Sequence, residues 1–173
     1  MGERELADLM HLVNRRLRHG YVRRLGPLGL SPGQARALRV LADAPRPLRM
    51  VRLAEELRIV PRSLTPVVDA LEEAGLVRRR TDPGNRRSTL VEITDEGRVA
   101  AERAREARRQ AGEELFAVLA AEQRDQLGEL LSAVDAAAQA RETAQAVEAA
   151  RAREAAQGRE TAQAAEAARA DRR

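Results

Sequence analysis

The chain has 173 residues, 43% of them hydrophobic, enough for one proper core, and its formal net charge is only +4. It contains no cysteine, which excludes disulfides, thiolate metal sites and cysteine redox sensing. Its histidines, His11 and His19, stand eight residues apart on an expected helix without a third ligand, and no apolar run approaches the roughly 20 residues that span a bilayer, so no metal, no cofactor and no membrane partner is expected.

The opening Met-Gly-Glu-Arg-Glu-Leu lacks the basic and apolar regions of a signal peptide, so the expected location is cytoplasmic. Every one of the 31 Lys/Arg positions is an arginine, the residue suited to planar, bidentate contact with phosphate or guanine. Codon usage in a GC-rich genome produces the same bias, so the weight falls on where the arginines cluster. Aromatic residues are 1% of the chain, Tyr21 and Phe116, and much of the apolar share is alanine. A helical bundle that shares its core with a second subunit would relieve this shortage of bulk.

Leu6, Leu9, Met10, Val13 and Leu17 recur at helical spacing and predict a first amphipathic helix from about Glu3 towards Leu25, weakened at Gly20 and broken by Gly26-Pro27-Leu28-Gly29. Ser31-Pro32-Gly33-Gln34 is a helix start, with Ser31 as N-cap, Pro32 at the first helical position and Gln34 closing a capping box. This second helix is expected to run to about Asp43, with Ala35, Leu38 and Leu41 inward. Two short helical patterns follow close together: Leu53, Ala54 and Leu57, then Leu64, Val67, Val68 and Leu71. The polar face of the second carries Arg62, Ser63, Thr65 and Pro66 and suits the major groove of duplex DNA. Pro66 deletes an amide, so either the helix is bent there or it starts later, near Ser63.

After Gly75 the pattern becomes strand, turn and strand: residues 76–81, a turn over 82–87, then 88–93. Arg78, Arg79, Arg80, Arg86 and Arg87 concentrate on this expected wing, the local signal for nucleic acid that codon usage does not explain. Thr94 caps a further helix with Asp95 and Glu96 in its first turn. To about Leu119 only Val99, Ala104, Ala107, Ala111, Leu115, Phe116, Val118 and Leu119 offer packing. Leu127, Leu130, Leu131 and Val134 mark a last amphipathic helix. Its natural use, with Leu6, Leu9, Met10 and Val13 of the first, is a shared homodimer core. From Arg141 a 12-residue segment returns at Arg159, a tandem repeat of 18 residues, or five helical turns, rich in Ala, Glu and Arg. Val147 is the one large apolar residue of this tail, so a solvated, fraying helix is expected.

Over roughly Leu6 to Val134 the chain resembles the MarR family of transcriptional regulators. The resemblance is carried by Leu30-Ser31-Pro32-Gly33-Gln34, by Leu53-Ala54-Glu55-Glu56-Leu57, by the run Val67 to Val77, and by Ile93-Thr94-Asp95-Glu96-Gly97. It implies a mainly α fold with a small β wing: a winged helix-turn-helix of about 31–97 and dimerisation helices of about 3–25 and 98–138, together residues 1–138; the Ala/Glu/Arg-rich repeat tail of 139–173, expected to be helical or fraying, lies outside the resemblance. It further implies a homodimer reading a palindromic operator in double-stranded DNA, acting as a repressor, and release by a small phenolic or amphipathic ligand. Tyr21, His11 and His19 are the candidate pocket residues. The family wing usually carries Asp-x-Arg, whose arginine enters the minor groove. Here Asn85, Arg86 and Arg87 match, and Asn85 turns a charge-assisted orienting bond into a neutral one unless another acid, such as Asp82, supplies it.

The alternatives are a DNA-binding factor without an effector, constitutive or architectural, and an interaction adaptor using the tail. An enzyme is not expected, because the sequence holds no nucleophile, base and orienter constellation and no phosphate loop.

Overall fold

A computed structural model describes residues 2–170, less the side chains of Glu3, Arg86, Arg87, Ala150 and 152–170. The chain divides into two compact units between Val118 and Leu119. The first unit contains α1 (Glu3–Leu25), a 3-10 turn (Gly26–Leu28), α2 (Pro32–Asp43), β1 (Leu48–Arg49), α3 (Met50–Glu56), α4 (Pro61–Glu73), β2 (Val77–Asp82), β3 (Asn85–Ile93) and α5 (Asp95–Phe116). The second is one helix, α6 (Ala121–Ala170), which runs on through the repeated segment. No helix among the described residues is long and apolar enough to cross a membrane.

The ends of the helices follow local chemistry. Ser31 Oγ accepts the Gln34 amide at 3.2 Å while Gln34 Oε1 accepts the Ser31 amide at 2.7 Å, so the capping box starts α2 where the sequence places it. The helix α4 ends in a Schellman turn: Gly75 adopts φ +71, its amide reaches the Glu72 carbonyl, and the Leu76 amide reaches Leu71. The turn between α3 and α4 uses the same device with Arg58 at φ 50, an uncommon conformation for a side chain with a Cβ.

The core lies where α2, α3 and α4 meet the sheet and the inner face of α5. Leu25, Leu38, Leu53, Leu64, Val68, Leu71 and Val91 are wholly buried, and each contributes roughly 1.5–3 kcal/mol by leaving water. The α5 contribution is a row of small residues, Gly97, Ala101, Ala104, Ala107 and Ala111. Their thinness brings α1 close, and at Gly20 an added Cβ would stand 3.5 Å from that of Ala111. Gly20 therefore marks a close helix crossing, and α1 passes through it unbroken.

Several expectations change. The packing expected of Val99 and Val118 does not occur: they are 53% and 87% exposed, and Ala101 fills the inner face that a larger residue would push open. The expected six-residue turn over 82–87 shrinks to Pro83-Gly84. Asp82 and Asn85 pair across it, and β3 begins at Asn85, so Arg86 and Arg87 belong to the strand. β1 was not expected at all. Its two residues pair with Val91 and Leu90, which gives a sheet of order β1-β3-β2. Helix α4 does start at Pro61 and carries Pro66 inside it. A proline there costs about 3 kcal/mol, offset by the burial of Leu64, Val68 and Leu71 on the opposite face.

Candidate nucleic-acid interface

On α4, Arg62 and the residues three, four, seven and eleven places after it, Thr65, Pro66, Asp69 and Glu73, share one stripe, and all five are exposed. Ser63, also exposed, lies on the flank of this stripe. The face is open because the opposite one is sealed by Leu64, Val68 and Leu71. The N-cap, Val60, contributes no side-chain cap; Pro61 has no amide to satisfy and the Ser63 amide reaches the Val60 carbonyl at 2.9 Å, which leaves the Arg62 amide of the first turn to solvent or a ligand. Among the described residues Arg62 makes no ion pair.

The wing is tied to this helix by charge. Alternation along β2 turns Arg79 towards α4 and Arg78 and Arg80 away from it. Arg79 donates from its amide and Nη1 to the Glu72 carboxylate, at 2.8 and 2.6 Å, and from Nη2 to Asp69 at 2.6 Å. Those bonds, the backbone amide first, hold the Glu72 carboxyl below its ordinary pKa. Arg79 thus leaves the basic cluster read from sequence: it is a strut between helix and wing. Arg78 and Arg80 share Glu92, at 2.7 and 3.1 Å, yet remain more than half exposed. The backbone of Arg86 and Arg87 runs in β3, and their side chains lie outside the described residues.

Asp82 holds the base of the wing tip. It is 7% exposed and accepts from the Gly84 amide at 2.9 Å and from Arg49 Nε at 2.6 Å. These bonds, with help from the Asn85 amide, lower its pKa. Asp82 therefore joins the hairpin turn to β1. A carboxylate with a depressed folded pKa stabilises above its unfolded pKa and ceases to do so as pH falls through the folded one. The gap in urea midpoint between the parent and Asp82→Asn should accordingly be largest at neutral pH and close below about pH 4. A gap unchanged between those conditions would show that the charge of Asp82 contributes nothing.

A second feature lies between α1, α2 and α5. A cavity of about 200 Å³ is lined by Tyr21, Pro32, Ala35, Ala101 and Ala104 and ringed by Arg18, Arg36, Arg39, Arg105 and Arg108. Arg105 is paired with Asp43 and Glu102, and no acid lines the cavity itself. Burial raises the Tyr21 pKa against the opposing pull of Arg108 and Arg39, so its phenol stays protonated and can donate. Of the three pocket candidates read from sequence only Tyr21 is here: His11 and His19 are exposed on α1 and line no part of this cavity. The arginine ring was missed because its members come from three helices distant in sequence.

On the candidate dimer faces, Leu6, Leu9 and Met10 of α1 are exposed and Val13 is half-buried. In the second unit Leu130 and Val134 are 67% and 69% exposed, Leu131 is also exposed, and Leu127 is half-buried.

Comparison with known proteins places this geometry. The MarR family model matches residues 30–89, from the entry to α2 into the wing. The HTH-type transcriptional repressor Rv2887 of Mycobacterium tuberculosis is 33% identical over 118 residues, covering 68% of this chain and 84% of the relative. Wild-type MarR from E. coli superposes with a TM-score of 0.69 at 28% identity, covering 75% of this chain and 95% of that one. Rv2887 has been solved in complex with DNA, with a TM-score of 0.63 at 29% identity over 75% of this chain and 96% of that one. It has also been solved with p-aminosalicylic acid, with a TM-score of 0.63 at 30% identity over 75% and 98%.

Proposed function

Because the chain belongs to the MarR family of DNA-binding transcriptional regulators, we propose that it is a homodimeric repressor that reads a palindromic operator and releases it on binding a small anionic aromatic ligand. The observation that carries the DNA reading is the open stripe of α4, held at a fixed angle to the basic hairpin by Arg79. Arg62, Ser63, Thr65 and Pro66 enter the major groove, while Arg80, Arg86 and Arg87 of the wing meet the backbone and the adjacent minor groove. Asn85 stands where an acid would orient Arg87, so wing contact depends more on the groove's own negative potential. The exposed apolar residues of α1 and α6 support the dimer, and two-fold protein symmetry demands a two-fold site.

The Tyr21 cavity supports the ligand. An apolar cavity of about 150 Å³ suffices for benzene, so this one suits a single ring. Four of the five ringing guanidinium groups, those of Arg18, Arg36, Arg39 and Arg108, make no ion pair among the described residues and suit a carboxylate, and the Tyr21 hydroxyl supplies a directional donor. The cavity touches α2 of the DNA-binding part and α1 and α5 of the remainder, so an occupant that prefers one arrangement of these helices changes DNA affinity.

The test is binding of the full chain to duplexes it selects from a randomised pool, over a salt series, with and without p-aminosalicylic acid. Selected duplexes should carry inverted half-sites about 34–36 Å apart. Affinity should fall on the order of 10³-fold between 50 and 200 mM salt. The acid should release DNA from the parent at concentrations that leave Arg39→Ala bound. Selection of no specific duplex overturns the operator reading, and release that ignores Arg39 overturns the ligand site.

A further inference from the structure

We infer that Pro66 is a specificity-determining residue, its ring seated against the 5-methyl group of a thymine in the major groove. The inference rests on the DNA-binding reading of α4 and goes beyond it by assigning one base to one side chain. Pro66 is the odd residue of its helix. The large apolar residues Leu64, Val68 and Leu71 are wholly buried, and Val67 is half-buried, whereas Pro66 faces solvent on the same stripe as Arg62 and Asp69. It neither starts nor ends α4, which continues to Glu73. It also removes the amide that would bond the Arg62 carbonyl one turn earlier. The burial of its helix neighbours offsets the cost of Pro66, but Pro66 itself buries nothing in the free chain, and a residue that breaks a local rule without contributing to the packing is expected where a surface is shaped for a partner.

The chemistry of the ring narrows what that partner presents. Proline offers neither donor nor acceptor from its side chain or nitrogen, so it cannot take part in hydrogen-bond readout. Among base edges in the major groove the apolar group available to it is the thymine methyl. Its neighbours leave that role open. Arg62 is suited to guanine or phosphate, and Asp69 is held by Arg79 at 2.6 Å, which keeps the carboxylate from swinging across the ring. Thr65 precedes it with one hydroxyl and one methyl, and stands on the other side of the line from Arg62 to Asp69.

Replacement of thymine by deoxyuridine removes only that methyl and leaves every hydrogen bond of the base pair in place. In the duplex selected by the full chain, each thymine is exchanged in turn and the affinity of the parent and of Pro66→Ala is measured by anisotropy. For the parent, one thymine in each half-site should lose about fourfold on exchange, the worth of one buried methyl. Exchange in both half-sites should then cost about 15-fold. For Pro66→Ala the thymine–uracil difference should vanish at that position alone, and the alanine, by restoring a helical amide, should keep or raise helical content. Pro66→Ser, with the same amide and a polar side chain, should behave alike. A parent that is indifferent to every exchange overturns the inference while leaving the DNA-binding reading intact. A thymine–uracil profile unchanged in both variants also overturns it. Failure to select any duplex removes the reading beneath it.

Discussion

Leu9→Glu should turn the protein into a monomer whose affinity for its duplex is lower by about 10²- to 10⁴-fold, the range set by the effective concentration that joining two half-site contacts provides. Leu9 lies with Leu6 and Met10 on the exposed apolar stripe of α1 and is 47% exposed within its own subunit. A glutamate there disturbs little of the subunit's own packing, since Leu25, Leu38 and Leu53 form the sealed core elsewhere. In a dimer the same position would bury an unpaired carboxylate, which is strongly destabilising. Sedimentation would separate the two outcomes: a folded monomer with an unchanged melting curve at low concentration is expected. A dimer of unchanged affinity would show that this stripe faces solvent and that the subunits meet elsewhere.

The largest effect on folding is expected at Gly97. In most helix interiors, glycine to alanine is a gain of about 1 kcal/mol. A Cβ built at Gly97, however, falls 2.0 Å from the Leu76 carbonyl oxygen and 2.8 Å from Cγ1 of Ile93. The obstacle is backbone, and it is fixed from several sides. The Leu76 carbonyl accepts the Thr94 amide at 3.1 Å, the Thr94 hydroxyl donates to the Gly75 carbonyl at 2.8 Å, and Thr94 Oγ1 accepts the Gly97 amide at 3.0 Å. Gly97→Ala must therefore push the first turn of α5 off the end of α4 and break this knot. Overpacking costs about 1–3 kcal/mol and more where backbone must move, so a net loss near 3 kcal/mol is expected. That corresponds to a fall in Tm of roughly 6–12 °C for a chain of this size. Gly112→Ala on the same helix, with nothing within 4 Å of the new Cβ, serves as the control and should melt no lower than the parent. Equal melting of the Gly97 and Gly112 variants would mean that the two segments separate freely.

Much of this architecture is legible in the sequence, for reasons that are local. The capping box at Ser31 and Gln34, the Thr94 cap with Asp95 and Glu96 behind it, and the apolar spacing of Leu64, Val68 and Leu71 each involve residues within two turns of one another. Backbone geometry alone then puts those groups in reach. The same periodicity places Arg62, Thr65 and Pro66 on the outer face of α4. The family resemblance is legible because such local signals recur in a fixed order.

What the sequence could not supply involves pairs that are far apart in it. Five arginines near the wing look alike in a linear reading, since charge counts take no account of partners. Pleat direction and the position of α4 make Arg79 a strut to Glu72 and Asp69 and leave Arg78 and Arg80 exposed beside Glu92. Asp82 became a buried link only because β1, too short to carry a periodic signal, brings Arg49 across 33 positions of chain. The row of small residues on α5 read as a shortage of packing, and the close passage of α1 made it the packing itself, with Val99 and Val118 turned out to water. Tyr21 gained its arginine ring, and His11 and His19 were left outside it, by the angle at which α1, α2 and α5 cross. By itself the sequence determined the elements, their order, their caps and the outward face of the recognition helix, because those follow from contacts within a few residues. Only the tertiary structure decided which charge meets which, where a Cβ cannot fit and which side chains enclose a cavity, because each depends on groups that the chain brings together only after it has folded.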